Sequence, residues 1–165
     1  MHLFVIRHAV AEDKDFGQDD TARELTSDGV RKFKRAMQGL RELGWRFDRV
    51  LSSPWQRAIK TAELLGPLND GPTIATELLC DKPRSELFAL IAETSGPQEE
   101  RHATAVVGHE PWLTELVGWL AFGDPRHGEA IELKKGGAIW LDGTSVPGGM
   151  KIRAILPPKI MREMR

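Results

Sequence analysis

Short apolar runs and stretches of helical periodicity take turns along this chain, and that alternation constrains its fold more than any other feature. His2–Arg7 reads as a strand. Ala9–Arg23 is polar, acidic and glycine-containing, so it reads as a loop. After Thr26, a plausible helix cap, Val30, Phe33, Met37, Leu40 and Leu43 recur at helical spacing, and Gly44 ends the helix. Arg31, Lys32, Lys34, Arg35 and Gln38 fill the rest of that cylinder and read as its solvated face. Arg49–Ser52 reads as a second strand. Ser53 then Pro54 signals a helix start, with Ser53 as cap and Ala58, Ile59, Ala62 and Leu65 inward until Gly66. The pattern continues with a strand over Thr73–Leu78, a helix over Ser85–Glu93, a strand over His102–Val107 and a helix over Pro111–Phe122. A hairpin follows, pairing Gly137–Leu141 with Lys151–Leu156. The tail PPKIMREMR fits a short amphipathic helix.

Strands alternating with helices predict an α/β sandwich with a mainly parallel central sheet, the last hairpin adding an antiparallel edge. With 165 residues, one domain spanning 1–165 is expected. Apolar residues make up 41% and charged residues 28%, an ordinary globular composition. A net charge of -1 offers no bulk attraction for nucleic acid or for a membrane surface, so neither is expected as a partner. The single cysteine, Cys80, cannot form an internal disulfide, which fits a reducing compartment, and a cytoplasmic location is expected. With no CxxC and no adjacent histidine, Cys80 reads as an incidental thiol.

Three motifs fall just after the carboxyl ends of expected strands: Arg7-His8-Ala9, SSPWQRA with Arg57, and GHEP with His109. In open parallel sheets ligands bind outside those strand ends, so parallel strands would bring the motifs to one edge. Two arginines and two histidines would then converge. Guanidinium matches phosphate oxygens in a planar, bidentate way, and a helix start beside Pro54 adds N–H groups. The expected ligand is a phosphoryl group. An imidazole among cations stays neutral, with a lone pair free to attack. No HExxH and no cysteine cluster offers a metal cage, so neither metal nor cofactor is expected. No GxSxG, GxxxxGK[ST] or GxGxxG occurs either. His2, His102 and His127 show no ligand spacing and read as structural or exposed. Trp55 and Trp112 lie inside the motifs and are candidates for the pocket mouth.

VIRHA, SSPWQRAIKTAELL and AVVGHEP resemble the signature blocks of the histidine phosphatase (phosphoglycerate-mutase-like) superfamily. RHA in place of RHG, RELTSDG, GHEP and the LPPK-type tail are most similar to its SixA-type phosphohistidine phosphatase branch. The resemblance implies a three-layer α/β/α sandwich, with His8 as the nucleophile that becomes phosphorylated and Arg7 and Arg57 binding the phosphoryl oxygens. His109 would contact them too and steady the transition state. It also implies phosphatase activity without a metal, on a phosphorylated protein or a small phosphate. Phosphomonoesterases of the superfamily place a general-acid carboxylate after the third strand. Here that segment reads TELLCDKPRSEL, where Glu77 and Asp81 are the nearest candidates; Glu12, Asp13 and Glu110 are others. An imidazole leaving group is far less basic than an alcohol, so a site with a weak acid favours phosphohistidine. A general phosphomonoesterase and a non-catalytic phosphoprotein-binding module are the alternatives.

Overall fold

The computed structural model describes residues 1–93 and 102–164. One six-stranded sheet organises them, in the order β3-β2-β4-β1-β5-β6. The strands are β1 (His2–Arg7), β2 (Arg46–Ser52), β3 (Thr73–Ala75), β4 (His102–Gly108), β5 (Ala138–Gly143) and β6 (Met150–Leu156). The first four run parallel; β5 lies antiparallel to β1, and β6 antiparallel to β5. Helices α1 (Ser27–Glu42), α2 (Gln56–Glu63), α3 (Ser85–Ala92), α4 (Trp112–Phe122) and α5 (Pro158–Glu163) complete the fold.

β1 reads as a continuous apolar run because both faces of the sheet are covered. Phe4 and Ile6 point to the layer of α1, α2 and α5, beside Phe33, Met37, Leu40, Ala58 and Met161. Leu3 and Val5 point the other way, to Leu87, Ile91, Leu113 and Leu116 of α3 and α4. The expected three-layer α/β/α architecture is therefore present, with its antiparallel edge.

Thr26 caps α1, its hydroxyl accepting from Gly29 N at 2.9 Å. Gly29 also lets the helix start lie against the Val10 carbonyl, which a Cβ would strike. The basic face of α1 is solvated as expected, and Asp28 pairs with Arg31 and Lys32. Leu43 falls at the end of that helix and is exposed. His2 lies edge-on against Trp45, and His127 against Phe122; the side chain of His102 lies outside the described residues.

Local polar bonds move some boundaries away from the sequence reading. The third strand stops at Ala75 instead of Leu78, because Thr76 turns the chain by accepting from Leu78 N. Helix α2 begins at Gln56, with Trp55 at its cap position and no side-chain cap. Ser53 is therefore not the helix cap: its hydroxyl is withdrawn into the interior and accepts from Trp55 N at 3.2 Å. Ile59 is half-buried, and Leu65 is buried just past the helix end. The tail does form a helix; α5 packs Met161 into the core against α1.

Register places the motifs. Arg7 lies opposite Gly108, and Ser52 opposite Val107. The carboxyl ends of β1, β4 and β2 are thus adjacent and level, and the three motifs leave the sheet side by side.

Candidate active site

His8 and His109 face each other with ring centroids 5.3 Å apart, and both are almost fully buried, at 4% and 3% exposure. Backbone bonds lock the loop that carries His8. His8 N donates to Gly108 O, and Gly136 N is shared by the carbonyls of Arg7 and His8. Ala9 N donates to the hydroxyl of Thr61 at 3.0 Å, which donates on to Arg57 O at 2.7 Å. Thr61 thereby ties the two arginine motifs together.

His8 Nδ1 lies 2.7 Å from Ala9 O. A carbonyl only accepts, so Nδ1 carries the ring proton and Nε2 presents a lone pair. Arg57 Nε approaches that lone pair at 3.3 Å. Burial, with the charges of Arg57, Arg7 and Lys135 added, pulls the His8 pKa down to about 4, against the lesser effect of the Ala9 bond. Burial, Arg57 and His8 pull His109 to about 3. Both rings are therefore neutral at physiological pH.

His109 Nε2 is 2.9 Å from Ser53 Oγ, which also lies 3.2 Å from Cys80 Sγ. Burial pushes the Cys80 thiol up, so it keeps its proton. A serine oxygen has two lone pairs and one proton. If it accepts from Trp55 N and from the thiol, its proton goes to His109 Nε2, and Nδ1 then carries the ring hydrogen. His109 Nδ1 is buried with no partner among the described residues, as is Arg7 Nε. The other end of Arg7 donates to Leu133 O at 3.0 Å. Orphaned buried donors cost about 1–3 kcal/mol each, and they stand where an acceptor-rich group would satisfy them.

Asp20, which sequence reasoning passed over, grips Arg57. Its carbonyl accepts from Arg57 Nη1 at 2.6 Å and its carboxylate from Nη2 at 3.1 Å. Burial pushes the Asp20 carboxyl up, but Arg57 and Arg23 outweigh this and hold it below the usual range. Trp55 is half-buried, with the Arg57 guanidinium 4.8 Å above its ring and His109 at 4.5 Å. Trp112 meets Trp55 edge-on at 6.0 Å, so both tryptophans border the site.

The candidate acids separate. Glu77 lines a cleft beside Trp55. Asp81 is exposed and accepts from Lys82 N. Glu110 is turned into α4, accepting from Thr114 N and Oγ1, and burial pushes its pKa up. Glu12 and Asp13 are exposed on the first loop. Among the described residues no three His, Cys, Asp or Glu side chains are grouped to hold a metal ion, and no helix is long and apolar enough to cross a membrane.

Residues 3–82 match the histidine phosphatase superfamily (branch 1). An uncharacterized protein of Picosynechococcus is 36% identical over 144 residues, covering 86% of this chain and 84% of that protein. The protein histidine phosphatase SixA, solved in complex with tungstate, superposes with a TM-score of 0.76 at 22% identity, over 96% of this chain and 98% of SixA. A phosphohistidine phosphatase SixA assigned from Nakamurella multipartitia gives 0.70 at 25% identity, over 95% of both chains. With the motifs converged at one sheet edge, these matches identify the chain as a member of the histidine phosphatase superfamily, similar in fold to its SixA-type branch.

Proposed function

We propose that this phosphatase works through a phosphorylated His8, needs no metal, and acts on phosphohistidine carried by a protein. The observation that carries the reading is the Nε2 lone pair of His8, with Arg57 beside it and buried nitrogens on Arg7 and His109 that lack partners among the described residues. In the first step His8 Nε2 forms a bond to phosphorus as the bond from phosphorus to the leaving group breaks. The three non-bridging oxygens take hydrogen bonds from Arg7, Arg57 and His109 Nδ1. Water then attacks phosphorus, the P–N bond breaks, and phosphate leaves. Preorganised donors of this kind act on charge that develops in the transition state. Tungstate, bound in the SixA structure, is a tetrahedral oxyanion and should compete for the same groups.

An imidazole leaving group, with a conjugate-acid pKa of roughly 6.5, departs without a strong acid. No candidate carboxylate contacts His8, which supports phosphohistidine over an alcohol ester. Glu77 beside Trp55 favours the second reading, a small-molecule phosphomonoesterase with Glu77 as general acid. We assign residues 1–165 to one domain, because a single sheet links the first motif to the last hairpin. The single cysteine supports a cytoplasmic setting.

The test is phosphate release from a histidine-phosphorylated protein, in chelator, by wild type and His8→Ala, with p-nitrophenyl phosphate as control. Wild type should release phosphate at least ~10⁴-fold faster than His8→Ala, with little action on the ester. Release from the ester alone would move the function to the second reading. Equal rates from both proteins would remove His8 from the mechanism.

A further inference from the structure

Beside the phosphoryl pocket lies an open cleft of about 770 Å³, lined by Thr21, Ala22, Glu24, Pro54, Trp55 and Glu77 among others. It adjoins the reacting groups in two places. Trp55 touches both His109 and Arg57, and Thr21 follows Asp20, which holds Arg57. Whatever is bonded to a phosphoryl group at His8 has this cleft available to it.

The charges there are segregated. Arg7, Arg57 and Lys135 act on His8. The charged residues lining the cleft are Glu24 and Glu77, both acids. Residues 12–24, the loop from which Thr21, Ala22 and Glu24 reach the cleft, include six acidic residues against two basic ones. Of those two, Arg23 is engaged by Asp20 at 2.8 Å and by the Glu12 carbonyl, while Lys14 is exposed. A second phosphate or a carboxylate on the substrate would be driven against Glu24 and Glu77.

We infer that the cleft selects substrates whose phosphoryl group sits beside a positive charge, such as a basic peptide segment or an alkylamine, and rejects those with a second anion. This deepens the proposed function for the peptide case, and its charge rule can be read separately from that reading.

The experiment compares kcat/KM within two matched pairs. One pair is a phosphohistidine peptide flanked by lysines against one flanked by glutamates. The other is phosphoethanolamine against 3-phosphoglycerate. In wild type at low salt the cationic member should lead by about tenfold or more, mainly through KM. The lead should shrink toward unity in 0.5 M salt. It should also shrink in the double variant Glu24→Gln, Glu77→Gln; because the readout is a ratio within each protein, a change in overall rate does not affect it. A wild-type ratio at or below one overturns the inference, as does a ratio that the double variant leaves intact. Turnover of the monoesters alone defeats the peptide reading, and their ratio still decides the charge rule. If none of the four is turned over, the dissociation constants of the same pairs, measured by calorimetry, decide it by the same criteria.

Discussion

At the scale of single residues, the site depends on groups that hold other groups still. Arg57 is useful only if its guanidinium keeps Nε toward His8, and Asp20 fixes it from the opposite side through two contacts. Asp20→Ala should lower kcat on a histidine-phosphorylated protein by about tenfold to a hundredfold, the scale of a roughly 1 Å misplacement, with a smaller change in KM. Asp20→Asn keeps an oxygen for Nη2 and should recover most of the loss. If Asn is as poor as Ala, the charge of Asp20 matters and not its position. Nothing local could have marked Asp20, because its partner lies 37 positions away. Ser53 departs from its local signal: a serine before proline announces a cap, and only the approach of β4 reveals a hydroxyl serving His109.

At the scale of elements, close backbone contact decides what is tolerated. α5 lies across α1 at Gly39, where a Cβ would meet the carbonyl of Met161. Gly39→Ala gains about 1 kcal/mol of helix propensity. It also forces main chain away from main chain, an overpacking cost of about 1–3 kcal/mol, and a backbone carbonyl cannot swing aside as a side-chain tip can. The variant should lower the urea midpoint, by about 1 kcal/mol in net stability. A midpoint equal to or above that of wild type would show that α5 adjusts freely. Element type was legible for β1, α1, β4 and α4, which carry unambiguous apolar patterns. Boundaries were less so where a side chain redirects the backbone, as Thr76 does after β3.

At the scale of the whole molecule, two neutral histidines buried among cations couple folding to pH. Their native pKa values, about 4 and about 3, lie below the unfolded value near 6.5. Above pH 6.5 both states are unprotonated, and these groups add no pH dependence. As pH falls from 6.5 toward 4, the unfolded chain takes up protons that the native state refuses, so stability falls. Each unit of displacement is worth about 1.4 kcal/mol, so the pair accounts for several kcal/mol over this window. Urea unfolding at pH 7.5 and pH 5.0 should show the loss in wild type, and a markedly smaller one in the variant His8→Ala, His109→Ala. Equal losses in the two proteins would place the pH dependence elsewhere.

Local pattern along the chain already specifies the alternating strands and helices and the sheet edge where the chemistry gathers. Apolar periodicity is a local property, and a parallel sheet obliges motifs at successive strand ends to share one side. Arg7, His8, Arg57 and His109 could be singled out on that ground alone. The proton on His8 and the supports of the site come from contacts made only in the folded chain. The Nδ1 proton of His8 is set by a carbonyl on its own loop, but the partners of Arg57, His109 and Ala9 come from segments 37 to 56 residues away. Such pairings depend on distances that the register of β1, β4 and β2 creates, and no pattern within one segment encodes them.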